Sequence, residues 1–131
     1  MTQSFTKRRI ALSWAILLFS LSTISKAQAV IKFLDAKKNF GFVKQGKLVE
    51  ITFEFTNTGN QPLIITDYKV ECTCTSVGFP KSPVLPQQKG SLTVTFDTKT
   101  VYDRQDRVVE VISNAKNSPE RIRFKGVVLK K

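Results

Sequence analysis

The sequence contains no histidine. That absence removes Ser-His-Asp and Cys-His catalysis, His-ligated metal hydrolysis and the commonest general base at neutral pH. Cysteine is nearly absent as well: the chain has two, Cys72 and Cys74, one residue apart. Its single methionine is Met1. Two thiolates can hold Cu(I), but this chain offers no third strong ligand, and a four-ligand zinc site would need carboxylates or a second copy. Negative charge is scarce, with 10 acidic against 21 basic residues. No apolar run reaches the about 20 residues that span a bilayer; the longest, over residues 10–24, falls short.

That short run has the setting of a secretory leader. Lys7, Arg8 and Arg9 precede it, and Ala27-Gln28-Ala29 supplies a small-x-small scission sequence after it. The reading is a signal peptide over residues 1–29, followed by one exported domain over residues 30–131 with no transmembrane segment. Such a product is soluble after cleavage, and it resides in the periplasm or outside the cell. It keeps 17 basic and 10 acidic residues, a net charge of +7. This balance suits an acidic surface such as lipopolysaccharide or another anionic polysaccharide, besides serving solubility. Charge alone speaks for nucleic acid, and an exported protein seldom meets it, so no nucleic-acid partner is expected.

Residues 49–55 alternate cleanly. Val49, Ile51, Phe53 and Phe55 point one way, and Glu50, Thr52 and Glu54 the other, the period of a half-buried antiparallel strand. Residues 91–96 repeat the pattern, and residues 121–129 set Ile122 and Phe124 inward with Arg121, Arg123 and Lys125 outward. Further strands are expected at residues 30–34 continuing through 39–43, at 63–70, across both cysteines at 71–77, and at 107–112. Pro80, Pro83 and Pro86 make residues 79–89 an edge or crossover connection. About seven strands punctuated by turns, with no helical period, predict an all-β, immunoglobulin-like antiparallel sandwich. Its expected core is Phe33, Phe40, Phe42, Val49, Ile51, Phe53, Phe55, Leu63, Ile65, Leu92, Val94, Phe96, Val109, Val111, Ile122 and Phe124.

Cys72 and Cys74 are the candidate site. On a regular strand their Cα atoms would lie about 6.6 Å apart on one face, too far to bridge without a kink. Three readings stand together: a packed pair of thiols or a strained disulfide, a labile redox pair, or a soft-metal site for Cu(I). Arg121, Arg123 and Lys125 are the candidate surface for an anionic partner. Asp103 and Asp106 sit in what reads as a polar hairpin tip, where two carboxylates make no calcium site.

Taken together, the segment FEFTNTGNQPLIITDYKVECTCT, the three prolines, LTVTFDT, VVEVISN and the closing RIRFKGVVL resemble the DUF1573 family of exported bacterial domains, frequent in Bacteroidota. They are also similar to the wider class of ASH, Hydin and major-sperm-protein-like immunoglobulin folds. The family's cysteine motif usually reads C-G-C-T. Here Thr73 replaces the glycine, and a β-branched residue resists the kink that glycine permits. The resemblance implies a fold and a compartment, and no known reaction. The sequence therefore predicts a non-enzymatic, exported binding or structural module of the bacterial envelope. Its expected partner is an envelope protein or an anionic polysaccharide, and no cofactor is expected unless Cu(I) binds the cysteines. The alternative is a thiol redox or Cu(I)-handling protein acting through Cys72 and Cys74.

Overall fold

The structure is a computed structural model that describes residues 25–131. Most of the expected leader lies outside the described residues. Eight strands form: β1 (Ile31–Phe33), β2 (Lys37–Lys44), β3 (Leu48–Asn57), β4 (Ile65–Val70), β5 (Thr75–Gly78), β6 (Lys89–Asp97), β7 (Asp103–Ser113) and β8 (Glu120–Leu129). They build two four-stranded sheets, ordered β1-β3-β6-β5 and β2-β8-β7-β4. All pairings are antiparallel except β2 with β8, which run parallel. This is the expected all-β, immunoglobulin-like sandwich.

Alternating side chains put one apolar face of each sheet against the other. Phe53, Phe55 and Leu92 from the first sheet and Val109, Ile122 and Phe124 from the second are fully buried. The sheets meet where Phe96 of β6 stands edge-on to Phe124 of β8, ring centroids 5.3 Å apart. Phe40 of β2 joins them at 5.8 Å from Phe96. Its ring lies over Gly126, where a Cβ would come within 2.3 Å of it. That close approach, not backbone freedom, is why β8 carries glycine there.

Two of the chain's five changes of sheet correct the sequence reading. Residues 30–34 and 39–43 read as one interrupted strand. Instead residues 34–36 carry the chain across the sandwich: the Leu34 amide donates to Glu54 at 2.9 Å in one sheet, and the Ala36 carbonyl accepts from Arg123 at 2.8 Å in the other. Hence eight strands where about seven were counted. Residues 71–77 read as continuously extended. Instead β4 ends at Val70, residues 71–74 turn, and β5 begins in the opposite sheet. A third correction concerns residues 103–106, which are the first four residues of β7, not a hairpin tip. Asp103 takes a positive φ of 71° and makes a sharp entry into β7 without a glycine.

One core assignment fails. Phe42 is 74% exposed. Strict alternation from Phe40 would bury it, but the β2–β8 register slips between Asn39 and Gly41. Gly41 has φ 75°, and its amide donates to the Asn39 side-chain oxygen at 2.8 Å. The extra residue returns Phe42 to the outer face. The other fifteen expected core positions are buried or packed against the core.

Asn57 closes β3 and is fully buried. Its Nδ2 donates to the carbonyls of Gln61 (2.7 Å) and Val84 (2.9 Å). Its Oδ1 accepts from the amides of Gly59 (3.0 Å) and Val30 (3.4 Å). Its own backbone amide reaches Gln88, and its carbonyl accepts from Gln87. In sequence, residues 57–62 read as a loop whose glycine and asparagines tolerate positive φ, yet none of them has one. Gly59 is there because a Cβ would strike the Gln28 carbonyl at 2.2 Å. Gln28 and Asn60 exchange two hydrogen bonds, and Ala29 is buried in the core. The folded unit thus begins two residues before the expected mature start at Val30.

Asn57→Ala leaves two carbonyls and two amides without their partner, at about 1–3 kcal/mol for each such group that stays buried and unsatisfied. We expect a loss of roughly 2–4 kcal/mol in denaturant unfolding. Asn57→Asp should cost more, because it turns an oxygen toward two carbonyls and buries a charge. An Asp variant as stable as wild type would refute this account of the residue.

Candidate functional site

Cys72 and Cys74 lie at the turn that moves the chain from β4 to β5. They form a disulfide with Cα atoms 5.1 Å apart, shorter than the strand spacing and within the usual disulfide range. The turn supplies the approach. The Cys72 carbonyl accepts from the Thr75 amide at 3.1 Å, and the Cys74 carbonyl accepts from Asp97 at the end of β6 at 2.8 Å. The Cys74 amide also points at the Cys72 sulfur, 3.1 Å away. Thr73 was expected to resist this kink. Its φ is not positive, so the corner has no need of glycine, and its side chain projects to solvent. Both cysteines are half-buried, and Cys74 packs against the core. Among the described residues, no group of three or more His, Cys, Asp or Glu converges.

The basic stripe projects from the outer face of β8, as expected. Arg121 pairs with Glu110 at 2.9 Å and Arg123 with Asp106 at 3.1 Å, both across to β7. Lys125 lies beside Asp106 in register but makes no ion pair among the described residues. The stripe is therefore a partly neutralised ladder in which Lys125 keeps its charge. These exposed pairs are worth about 0–1 kcal/mol each.

Sequence reasoning missed what lies beside Lys125. Cross-strand register sets Phe42, Val127 and Arg104 in one row on the outer face, and Lys44 and Leu129 in the next. Phe42, Leu129 and Tyr102 are large exposed apolar groups, and the Lys130 ammonium sits 5.2 Å over the Tyr102 ring. A shallow depression of about 370 Å³ is lined by Phe42, Val127, Arg104 and Lys125 among others. One signal in the sequence pointed here: an isolated glycine, Gly41, inside a strand pattern marks a bulge and hence a change of facing.

Residues 31–128 match the family described as "Protein of unknown function (DUF1573)". The chain belongs to that family. No curated protein matches the sequence. Among solved structures, a protein of unknown function from Porphyromonas gingivalis W83 is similar over 82% of this chain, at TM-score 0.68 and 17% identity. The chain spans about half (51%) of that protein's length. The ASH/PapD-like domain 7 of human CEP192 is similar over 84% of this chain and 92% of its own, at TM-score 0.60 and 10% identity. The VesB protease of Vibrio cholerae matches over 77% of this chain and 31% of its own, at TM-score 0.56 and 20% identity. At these identities the likeness is one of fold: an immunoglobulin-type, ASH/PapD-like sandwich.

The disulfide closes a loop too small to constrain the unfolded chain much, about 1.6 kcal/mol on the chain-entropy relation. The core holds the fold instead. Cys72→Ser combined with Cys74→Ser should stay folded and lose at most about 2 kcal/mol. Loss of cooperative unfolding in that variant would show that the pair organises the domain.

Proposed function

We infer that this DUF1573 domain is an exported, non-enzymatic binding or structural module of the bacterial envelope. The observation that carries the reading is the outer face of the second sheet. Exposed Phe42, Tyr102 and Leu129, ringed by basic groups, form a surface that a folded domain gains little from leaving in water unless a partner covers it. The partner is an envelope protein or an anionic polysaccharide. Export is supported by the basic, apolar and small-x-small order of the first 29 residues. Because Gln28 and Ala29 are built into the domain, scission after Ser25-Lys26-Ala27 would spare contacts that scission after Ala29 removes. Intact mass of the exported product tells these two starts apart, and a product still carrying Trp14 would overturn export with cleavage.

A second reading, thiol redox chemistry, is favoured by one observation: the pair is closed as a half-exposed disulfide. A substrate thiolate would attack one sulfur and release the other cysteine as a thiolate. The substrate's second thiol would then displace the mixed disulfide. The substrate loses two electrons and two protons overall, and Cys72 and Cys74 become thiols. Copper handling needs that reduced state first, since neither sulfur of the disulfide is a thiolate.

Affinity capture from the native envelope, with and without reductant, tests the choice. The binding module should recover the same partner from wild type and from the double Cys→Ser variant. Recovery only as a reductant-sensitive adduct through Cys72 or Cys74 would overturn it in favour of exchange. For the polysaccharide arm, mature protein should elute from a lipopolysaccharide matrix at modest salt, because exposed charges are screened beyond about 8 Å at physiological ionic strength. A variant with Arg121, Arg123 and Lys125 changed to Gln should elute earlier. Identical elution would remove the stripe as a binding surface.

A further inference from the structure

We propose that the free edge of β2 accepts an extended acidic segment of a partner protein, with the pattern acid-x-apolar-x-acid. The proposal rests on the binding-module reading and names its site and the chemistry of its partner.

Among the described residues the free sheet edges belong to β1, β5, β4 and β2. β1 has three residues and β5 has four, too few for a stable added strand. β4 has six, of mixed charge and interrupted by a register shift. β2 is the longest, with eight residues that include Lys37, Lys38 and Lys44 and no acid. The Gln45 amide donates to Leu129 on the β8 side, so by strand alternation the Phe42 backbone amide and carbonyl face away from β8. A new strand can pair there.

Side-chain chemistry then selects the strand. An added strand places alternate residues on the outer face beside Phe42, about 4.8 Å from the β2 row. The residue next to Phe42 meets an aromatic ring that is 74% exposed. Two positions either way, its neighbours face Lys44 on one side and, past the bulge, Asn39 on the other, where Lys37 is the next outer residue along β2 and Lys125 lies across on β8. Arg104 and Lys125 stand behind Phe42 around the depression. None of these four cations is in an ion pair among the described residues. An apolar residue flanked at i±2 by carboxylates fits that row.

The same sheet already contains such a match. On the outer face of β7, Asp106, Val108 and Glu110 follow acid-x-apolar-x-acid, and they answer Arg121, Arg123 and Lys125 of β8 in register. β2 carries Lys37 and Lys44 toward the two ends of its outer face on the other flank of β8, with no strand to answer them. A second copy of β2 does not suit the edge, because the lysines of two such strands would face one another and repel.

The test titrates mature protein with a capped synthetic peptide, Glu-Thr-Leu-Thr-Glu flanked by threonines, and follows backbone amide shifts by NMR. A scrambled peptide with adjacent glutamates and a lysine-for-glutamate peptide are the controls. Shifts concentrated in Lys37–Lys44 and the facing part of β8 are expected, strongest for the patterned peptide and weaker at physiological salt. Phe42→Ser should weaken binding by about three- to fivefold, the scale of one cross-strand pair. Lys37→Glu with Lys44→Glu should abolish it and admit the lysine peptide. Both variants change exposed side chains, and unfolding midpoints near wild type verify their fold. Shifts centred on β4 or β5 overturn the site while leaving a binding module. Equal binding of the scrambled peptide, or no shift with any peptide, overturns the patterned strand. In the last case envelope capture still decides the binding-module reading. Shifts on this face with lipopolysaccharide vesicles but not with peptide overturn it in favour of the polymer.

Discussion

One buried side-chain amide ties the sandwich together. Asn57 accepts from the incoming chain at Val30, donates to the proline-rich connection at Val84 and holds its own loop through Gly59 and Gln61. Three segments meet on two side-chain atoms that make four hydrogen bonds, all of their capacity. No buried side-chain N or O among the described residues lacks a partner. A network so placed constrains more than it stabilises: each net bond is worth about 1 kcal/mol, while each bond left unmade costs more. The outcome is that β1 can enter only at this end and in this register.

The sheet changes at residues 34–36 and 71–74 are held differently. At residues 34–36 hydrogen bonds to β3 and β8 hold the chain, and Ala36 packs on the core. At residues 71–74 the turn carries a covalent bond between its own ends. β1 and β2 flank one side of the sandwich, and β4 and β5 the other. The cysteine corner and the basic apolar face near β2 are therefore on opposite flanks. Chemistry at one need not obstruct docking at the other.

Where burial was regular, the sequence was readable. The strict alternation of Glu50 to Phe55 and of Ser91 to Phe96 passed directly into β3 and β6, because one face of each strand meets the core along its whole length. The stripe of Arg121, Arg123 and Lys125 was legible for the same reason. Local departures were hidden. The slip at Gly41 reverses the facing of Phe42, and no count of period two anticipates it. The crossing at residues 34–36 looks like an ordinary polar break. Thr73 lowers the local expectation of a turn, but hydrogen bonds from Thr75 and Asp97 impose one. Asn57 looked like loop punctuation, since the groups that make it a hub lie 27 residues away on either side. The ion partners of the basic stripe likewise became visible only through the register of β7 on β8.

The parallel pairing of β2 with β8 gives the domain a direction. The chain enters beside Asn57 and Asn117, where β1 and β8 begin, and leaves beside Gly46, against which the Lys131 side chain rests. Entry and exit sit at opposite ends of a ten-residue strand, about 33 Å apart at strand rise. A hairpin-closed domain with both ends on one side hangs from a longer polypeptide as a side branch. This one would lie in line, like a rung set lengthwise. Segments joined before and after it are held apart by the length of the sandwich, and copies joined in tandem would extend as a rod.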